Sequence, residues 1–239
     1  DEYRRFADVI VVSSASGLRW HPRTLHRLRQ RCAAIVIRRN QGYDFGSWKA
    51  ALNLHRQDIK QAAFLVLTND SFWGPITPLD DLFQRLHASS ADVIGLTDDL
   101  MYEPHLSSAF TAYKPAALQC PAFGRFWETL QIWPRKRDLV KQCEVGLPVQ
   151  LRAAGLKFES LYTHNANGNV LHYDWKHLIE QRGFPFLKVS LLRDNPTRQP
   201  VDTWPDVIGQ RNPQLAANIK RQLRPKPGLQ RLWQRLHRR

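Results

Sequence analysis

No apolar run in this chain reaches the roughly 18 residues that a membrane-spanning helix needs, and no secretory leader opens it. Cysteine is scarce. Cys32, Cys120 and Cys143 are an odd number at wide spacing, which suggests neither a disulfide framework nor a zinc site. Core thiols in a reducing cytoplasm fit that usage. No glycine-rich phosphate loop of the Walker or Rossmann type is present. Ser107 and Ser108 follow His105 but lack the Gly-x-Ser-x-Gly elbow of a serine nucleophile, and the histidines lack metal-ligand spacing. Acidic residues are also short in number, with 21 Asp and Glu against 35 Lys and Arg and a formal charge of +14. Such an excess attracts nucleic acid, anionic lipid or phosphorylated substrates. Its distribution narrows the choice. No acid follows Asp206, while Arg211, Lys220, Arg221, Arg224, Lys226, Arg231, Arg235, Arg238 and Arg239 do. Much of the imbalance lies in a tail, and the body is moderately basic. The chain starts at Asp1 without Met, so a fragment is expected.

What is present is enough for one large domain, or a domain with a small annex, in 239 residues. Residues 33–77 organise it. The apolar runs Ala33–Ile37 and Ala63–Leu67 predict buried strands, and Gly46–Arg56 between them predicts an amphipathic helix. Polar loops follow each strand: Arg39-Asn40-Gln41-Gly42-Tyr43-Asp44 and Asn69-Asp70-Ser71. In open parallel sheets, ligands bind at such carboxyl ends. Val9–Ser13 predicts a first strand and Leu18–Gln30 a helix with Pro22 early in it. Pro78–Leu86 has acids in its first turn and Leu79, Leu82, Phe83 and Leu86 at helical spacing. Asp92–Leu96 predicts another strand, and the alternation argues for an α/β sheet. Ser107–Tyr113 and Lys157–Tyr162 are expected strands, and Pro121–Trp133 an expected helix. In Lys141–Gly155, Pro148 suits a helix start and Gly155 a helix stop. From Thr163 the chain reads as loop-rich, with a short helix at 174–183, and a boundary is placed near 190. In Pro227–Arg239, Leu229, Leu232, Trp233 and Leu236 fall at helical spacing among basic residues. That is a cationic amphipathic helix, suited to a membrane surface or to packing on the domain.

Four groups of residues could carry chemistry. Asp70, where a strand meets solvent, could hold a divalent ion bridging a diphosphate, or could close an Asx-turn. Gly42 and Gly46 allow close backbone approach to a ligand. Between them Asp44 could accept from a base or sugar hydroxyl, or cap the following helix. Arg39 and Lys49 could face phosphates, or water. Glu144 lies ahead of the expected Pro148 helix, where negative charge is favoured, and is also a fair general base for a hydroxyl.

Six stretches together resemble the rhamnan synthesis protein F family of bacterial polysaccharide glycosyltransferases. They are RRNQGYDFGSWKAAL (38–52), LTNDSFWGPITPL (67–79), DVIGLTDD (92–99), HLSSAFTAYK (105–114), FGRFWETL (123–130) and CEVGLPVQLRAAG (143–155). The resemblance covers roughly residues 8 to 190. It implies a GT-A-like, mostly parallel α/β sheet flanked by helices over 1–190, and a loop-rich extension with a basic helix over 191–239. It implies a nucleotide-sugar donor, dTDP-rhamnose, and inverting transfer to a lipid-linked glycan acceptor at the cytoplasmic face of the bacterial plasma membrane. Residues 220–239 would meet its anionic lipids, and no nucleic acid is expected. Glu144 would be the catalytic base. Asp70, Asn69, Asp44, Asn40, Arg39, Gly42 and Lys49 would bind the donor, and His105, Ser108 and Asp98 would stand on the acceptor side. Where related transferases carry two acids around one residue for Mg²⁺ or Mn²⁺, Thr68-Asn69-Asp70 keeps only the last. Ser107 stands where the family usually has Gln, and the family's first strand normally precedes this chain's start. Two rivals are a degenerate transferase fold acting as a scaffold and a basic nucleic-acid-binding protein.

Overall fold

The computed structural model describes residues 1–14, 22–100, 103–133, 135–163 and 169–224. The tail helix expected over 227–239 lies outside the described residues. Within them, the β-branched run near the start forms β1 (Ile10–Ser13), which pairs in parallel with β2 (Ala34–Ile37). Between them α1 (Pro22–Arg29) starts on proline, whose missing N–H is tolerated there. The next helix starts earlier than expected and breaks at His55, giving α2 (Tyr43–Leu54) and α3 (Arg56–Gln61).

β3 (Leu65–Thr68) does not return to β2. After β4 (Phe72–Trp73) come α4 (Asp80–Ala88), β5 (Val93–Gly95), β6 (Asp98–Asp99), β7 (His105–Leu106) and β8 (Phe110–Tyr113). β8 lies between β3 and β5 and runs antiparallel to both, with Thr111 opposite both Leu67 and Gly95. The polarity has a physical cause. A parallel return needs a crossover of a dozen or more residues, usually a helix. The chain between β5 and β8 is instead taken up by the β6–β7 hairpin. The expected mostly parallel sheet is therefore corrected to a mixed one of order β3-β8-β5, with the later strand Phe158–Ser160 on the far side of β5, beside the separate β1–β2 pair.

α5 (Pro115–Gln119) and α6 (Pro121–Thr129) each begin on proline. Then α7 (Lys136–Leu139), a π-helical turn Val140–Val145 and α8 (Gly146–Ala153) follow without a break. Pro148 is thus inside a helical stretch rather than at its start. Gly155 ends it as expected, at φ +85°. Leu156 N–H donates to Leu151 O and Gly155 N–H to Arg152 O, the paired bonds of a Schellman stop. β9 (Phe158–Ser160) then adds in parallel to β5. Phe45 and Trp48 of α2, Phe123, Phe126 and Trp127 of α6, and Leu147 and Leu151 of α8 form one core over the sheet. Each such side chain contributes roughly 1.5–3 kcal/mol on burial.

The chain divides into two compact units, residues 1–70 with 78–170, and residues 71–77 with 171–239. The boundary expected near 190 falls inside the second unit. After α9 (Val170–Tyr173) and α10 (Trp175–Glu180) comes β10 (Leu187–Lys188), which pairs antiparallel with β4. α11 (Val189–Arg193), α12 (Trp204–Gly209) and α13 (Pro213–Leu223) follow. The loop-rich reading of this region gives way to helices. Pro205 and Pro213, which look like breakers, sit in first helical turns. Ile76, Trp175, Leu191, Ile208 and Ile219 make this unit's own core. The Asn212 side chain caps α13, accepting from Leu215 N–H at 3.0 Å.

Candidate functional site

The loop from β2 to α2 is clamped by Arg38. Its guanidinium donates to Gln41 O at 2.7 Å and to Ser47 Oγ at 3.3 Å. Gly42 takes the left-handed conformation, φ +76°, as the residue capping α2. A Cβ on Gly46 would overlap the Gln41 carbonyl oxygen. The close approach at Gly46 is made by the loop's own carbonyl, while Gly42 and Gly46 also line an open cavity of about 220 Å³ together with Arg38 and Lys49. Asp44 is not the cap. It lies in the first turn of α2, where the helix dipole favours a carboxylate. Its Oδ2 accepts from Asn69 Nδ2 at 2.8 Å.

That bond brings Asp44 to the end of β3. The strand end is fixed further by Trp48 Nε1, donating to Thr68 O at 3.3 Å, and by Thr68 Oγ1, donating to Ala109 O at 3.0 Å. The half-buried Tyr3 phenol bonds to the Thr68 side chain, and desolvation pushes its pKa up to about 12. Neither Tyr3 nor Trp48 was singled out from the sequence. Tyr3 carried no pattern, while Trp48 lies one turn beyond Phe45 on an apolar face. Asp70 is exposed on the turn after Asn69, and Arg39 and Asn40 are exposed after β2. Lys49 departs from expectation. Its ammonium donates to Glu128 O at 3.0 Å and Leu130 O at 2.8 Å, tying α2 to the C-terminal end of α6. A cation is stabilised there by the helix dipole, so two backbone carbonyls hold the Lys49 ammonium in place at the wall of the cavity that Gly42 and Gly46 line.

Glu144 sits in the π-helical turn. Pro148 has no N–H to give the Glu144 carbonyl four residues back, and the wider turn directly before it answers that missing bond. Such turns recur at functional sites. Its expected place beside a helix's positive end is lost, because the helical stretch runs through. Glu144 is half-buried in the wall of a cavity of about 20 Å³, with Phe45, Leu67, Ser108 and Thr111. That is room for about one water. Cys143 beside it is fully buried, and burial, with the Glu144 charge second, pushes its thiol pKa up to about 12. Arg152 donates to Pro104 O at 2.6 Å, fixing α8 to the chain ahead of β7.

The three acceptor-side residues separate. Ser108 shares the Glu144 cavity. His105 is 3% exposed, and its Nδ1 faces Glu103 O at 2.7 Å. A carbonyl only accepts, so Nδ1 carries the proton there. Asp98 accepts from Ser160 Oγ at 3.3 Å. Among the described residues no three His, Cys, Asp or Glu side chains gather to hold a metal ion. Among the described residues, the side chains at hand do not make a metal centre from protein ligands alone.

The family model described as rhamnan synthesis protein F matches residues 9–219. The match spans most of the chain, and the protein belongs to this family of polysaccharide synthesis. It is 30% identical over 159 residues to an uncharacterized protein, y4gN, of Sinorhizobium fredii, covering 64% of this chain and 40% of that one. It is 25% identical over 227 residues to virulence protein VirA of Vibrio anguillarum, covering 80% of this chain and 71% of the relative. No solved structure matches the chain. Among the described residues, no helix is long and apolar enough to cross a membrane.

Proposed function

We propose that the protein is an inverting glycosyltransferase that moves rhamnose from dTDP-rhamnose to a growing cell-surface polysaccharide such as an O-antigen. The observation that carries this reading is the position of Glu144. It shares a small cavity with Ser108, Phe45 and Leu67. Phe45 follows Asp44 directly, and Leu67 precedes the Asn69-Asp70 strand end to which Asp44 is bonded.

In the reaction, the Glu144 carboxylate takes the proton of the acceptor hydroxyl, within the reach a general base needs. The freed oxygen attacks the anomeric carbon, and the bond from that carbon to the diphosphate breaks. The nucleoside diphosphate leaves with the electron pair. The transition state is oxocarbenium-like, as in glycoside hydrolysis. Asp44 and Asn40 orient the donor, with Asn69 holding Asp44 and Arg39 meeting the diphosphate. Ser108 stands on the acceptor side. Asp70 is the residue that would hold Mg²⁺ or Mn²⁺, with diphosphate and water supplying the other ligands.

The acceptor is a lipid-linked glycan, and residues 220–239 hold the enzyme at the anionic cytoplasmic face of the membrane. Lys220 and Arg221 at the end of α13 begin that basic segment. Deleting 220–239 should release the protein from acidic liposomes; unchanged binding would remove this part of the proposal. The donor assignment is tested by thermal-shift titration across nucleotide sugars, with and without Mn²⁺. The expected result is selective stabilisation by dTDP-rhamnose that Asp44→Asn weakens. Indifference to every nucleotide sugar would overturn it.

A further inference from the structure

A second cavity in the first unit, about 330 Å³, is bounded by α2, α3, α5 and α6. That is the size of a small-ligand pocket. Its floor is apolar. Leu52, Leu118, Phe123 and Trp127 are buried there. Its rim carries two exposed cations, Arg56 and Lys60, against one carboxylate, Glu128. Arg56 Nη1 donates to Glu128 Oε1 at 2.7 Å, which leaves the rim with a positive excess. This groove shares no lining residue with the Glu144 cavity, so a ligand bound in it lies outside that cavity.

Gly124 supplies a separate observation. It lies inside α6, where glycine is about 1 kcal/mol worse than alanine. A Cβ on it would meet nothing within 4 Å. Among the described residues, no packing contact accounts for a glycine at this point. Gly124 is exposed and is one of the residues that line the groove.

We infer that the groove binds a long-chain alkyl phosphate. The hydrocarbon lies along the Leu52, Phe123 and Trp127 floor past Gly124, where burial of apolar surface favours it. The phosphate meets Arg56 and Lys60, with the Arg56 fork suited to phosphate oxygens.

Cys120 reports on the site. It is partly exposed in the groove wall, whereas Cys32, also partly exposed, is outside it. The experiment follows alkylation of both thiols in the full chain by peptide-resolved mass spectrometry. The probes are monododecyl phosphate below its micelle threshold, dodecanol and inorganic phosphate. Monododecyl phosphate should slow Cys120 labelling saturably, roughly tenfold at about ten times its Kd by mass action, and leave Cys32 unchanged. Dodecanol should protect only at higher concentration, and inorganic phosphate not at all. Gly124→Leu, which fills the groove, should abolish protection while the circular dichroism spectrum is unchanged. Arg56→Gln with Lys60→Gln, both at exposed positions, should erase the preference for the phosphate over dodecanol. Equal slowing at Cys32, full protection by inorganic phosphate alone, or protection undiminished in either variant would overturn the inference.

Discussion

Replacing Gly46 with alanine tests whether the most recognisable stretch of the chain, Arg38 to Ser47, is a self-clamped loop. Alanine is favoured over glycine in a helix by about 1 kcal/mol. At this position the gain is outweighed. The new methyl would displace the Gln41 carbonyl, the oxygen that accepts from Arg38 at 2.7 Å. A hydrogen bond to a charged group contributes about 1.5–3 kcal/mol. Loss of it, with the strain of moving the left-handed Gly42 corner, gives a net destabilisation of about 1–3 kcal/mol. For a chain of this size that corresponds to a fall in Tm of roughly 2–12 °C. Gly124→Ala is the internal contrast, because a Cβ there meets nothing, and it should stabilise by about 0.5–1 kcal/mol. Thermal melts of the two variants are read with a double-mutant cycle against Arg38→Met. Since Arg38→Met already removes the clamp, Gly46→Ala should do less damage on that background. A Gly46→Ala protein as stable as the parent, or strictly additive with Arg38→Met, would refute the reasoning.

Three other perturbations have defined outcomes. Lys49→Met should lower stability by about 1–3 kcal/mol through the lost carbonyl bonds and leave dTDP-rhamnose affinity unchanged in the thermal-shift titration; a large affinity loss would return Lys49 to the donor site. Cys143, with its pKa raised to about 12 by burial and by Glu144, should resist alkylation at pH 8 in the folded protein while Cys120 and Cys32 react. His172 bonds to Ser190 Oγ at 2.9 Å, and burial, with Lys188 second, holds its pKa below the usual histidine value. The unfolded chain therefore binds the proton more readily. Its contribution to stability is complete above the ordinary value of about 6.5 and is lost as pH falls through the lower folded value. His172→Gln should flatten the stability profile on that acidic side, measured by urea unfolding.

The strands were legible where β-branched residues cluster. Ile10–Val12, Ala34–Ile37 and Val93–Gly95 all formed as expected. α4 was legible from acids ahead of Leu82, Phe83 and Leu86, and the stop at Gly155 from its glycine. Sheet polarity was not, because pairing is decided by partners distant in sequence: β3 could not announce that β8 would lie beside it. Pro148 misled for a local reason. A proline signals a helix start far more often than an interior position preceded by a π turn. The loop-rich reading after residue 163 erred in the opposite direction, since Pro205 lies in the first turn of a helix rather than in a loop. At the site, Asn69 stood out at the end of an apolar run, Asp44 between two glycines and Glu144 ahead of Pro148, while Ser108 entered only through the family resemblance. That Lys49 would be consumed by the end of α6 was not, because its acceptors lie about eighty residues away.

The proposed transfer chemistry stands or falls on the carboxylate at Glu144. Glu144→Gln keeps the size of the side chain and removes its capacity to take a proton. Measured side by side on the purified protein, dTDP-rhamnose should bind the variant with nearly the parent's affinity, while transfer to acceptor should fall by about 10²- to 10⁴-fold, the typical contribution of a general base. Transfer at the parent's rate by the variant would contradict it.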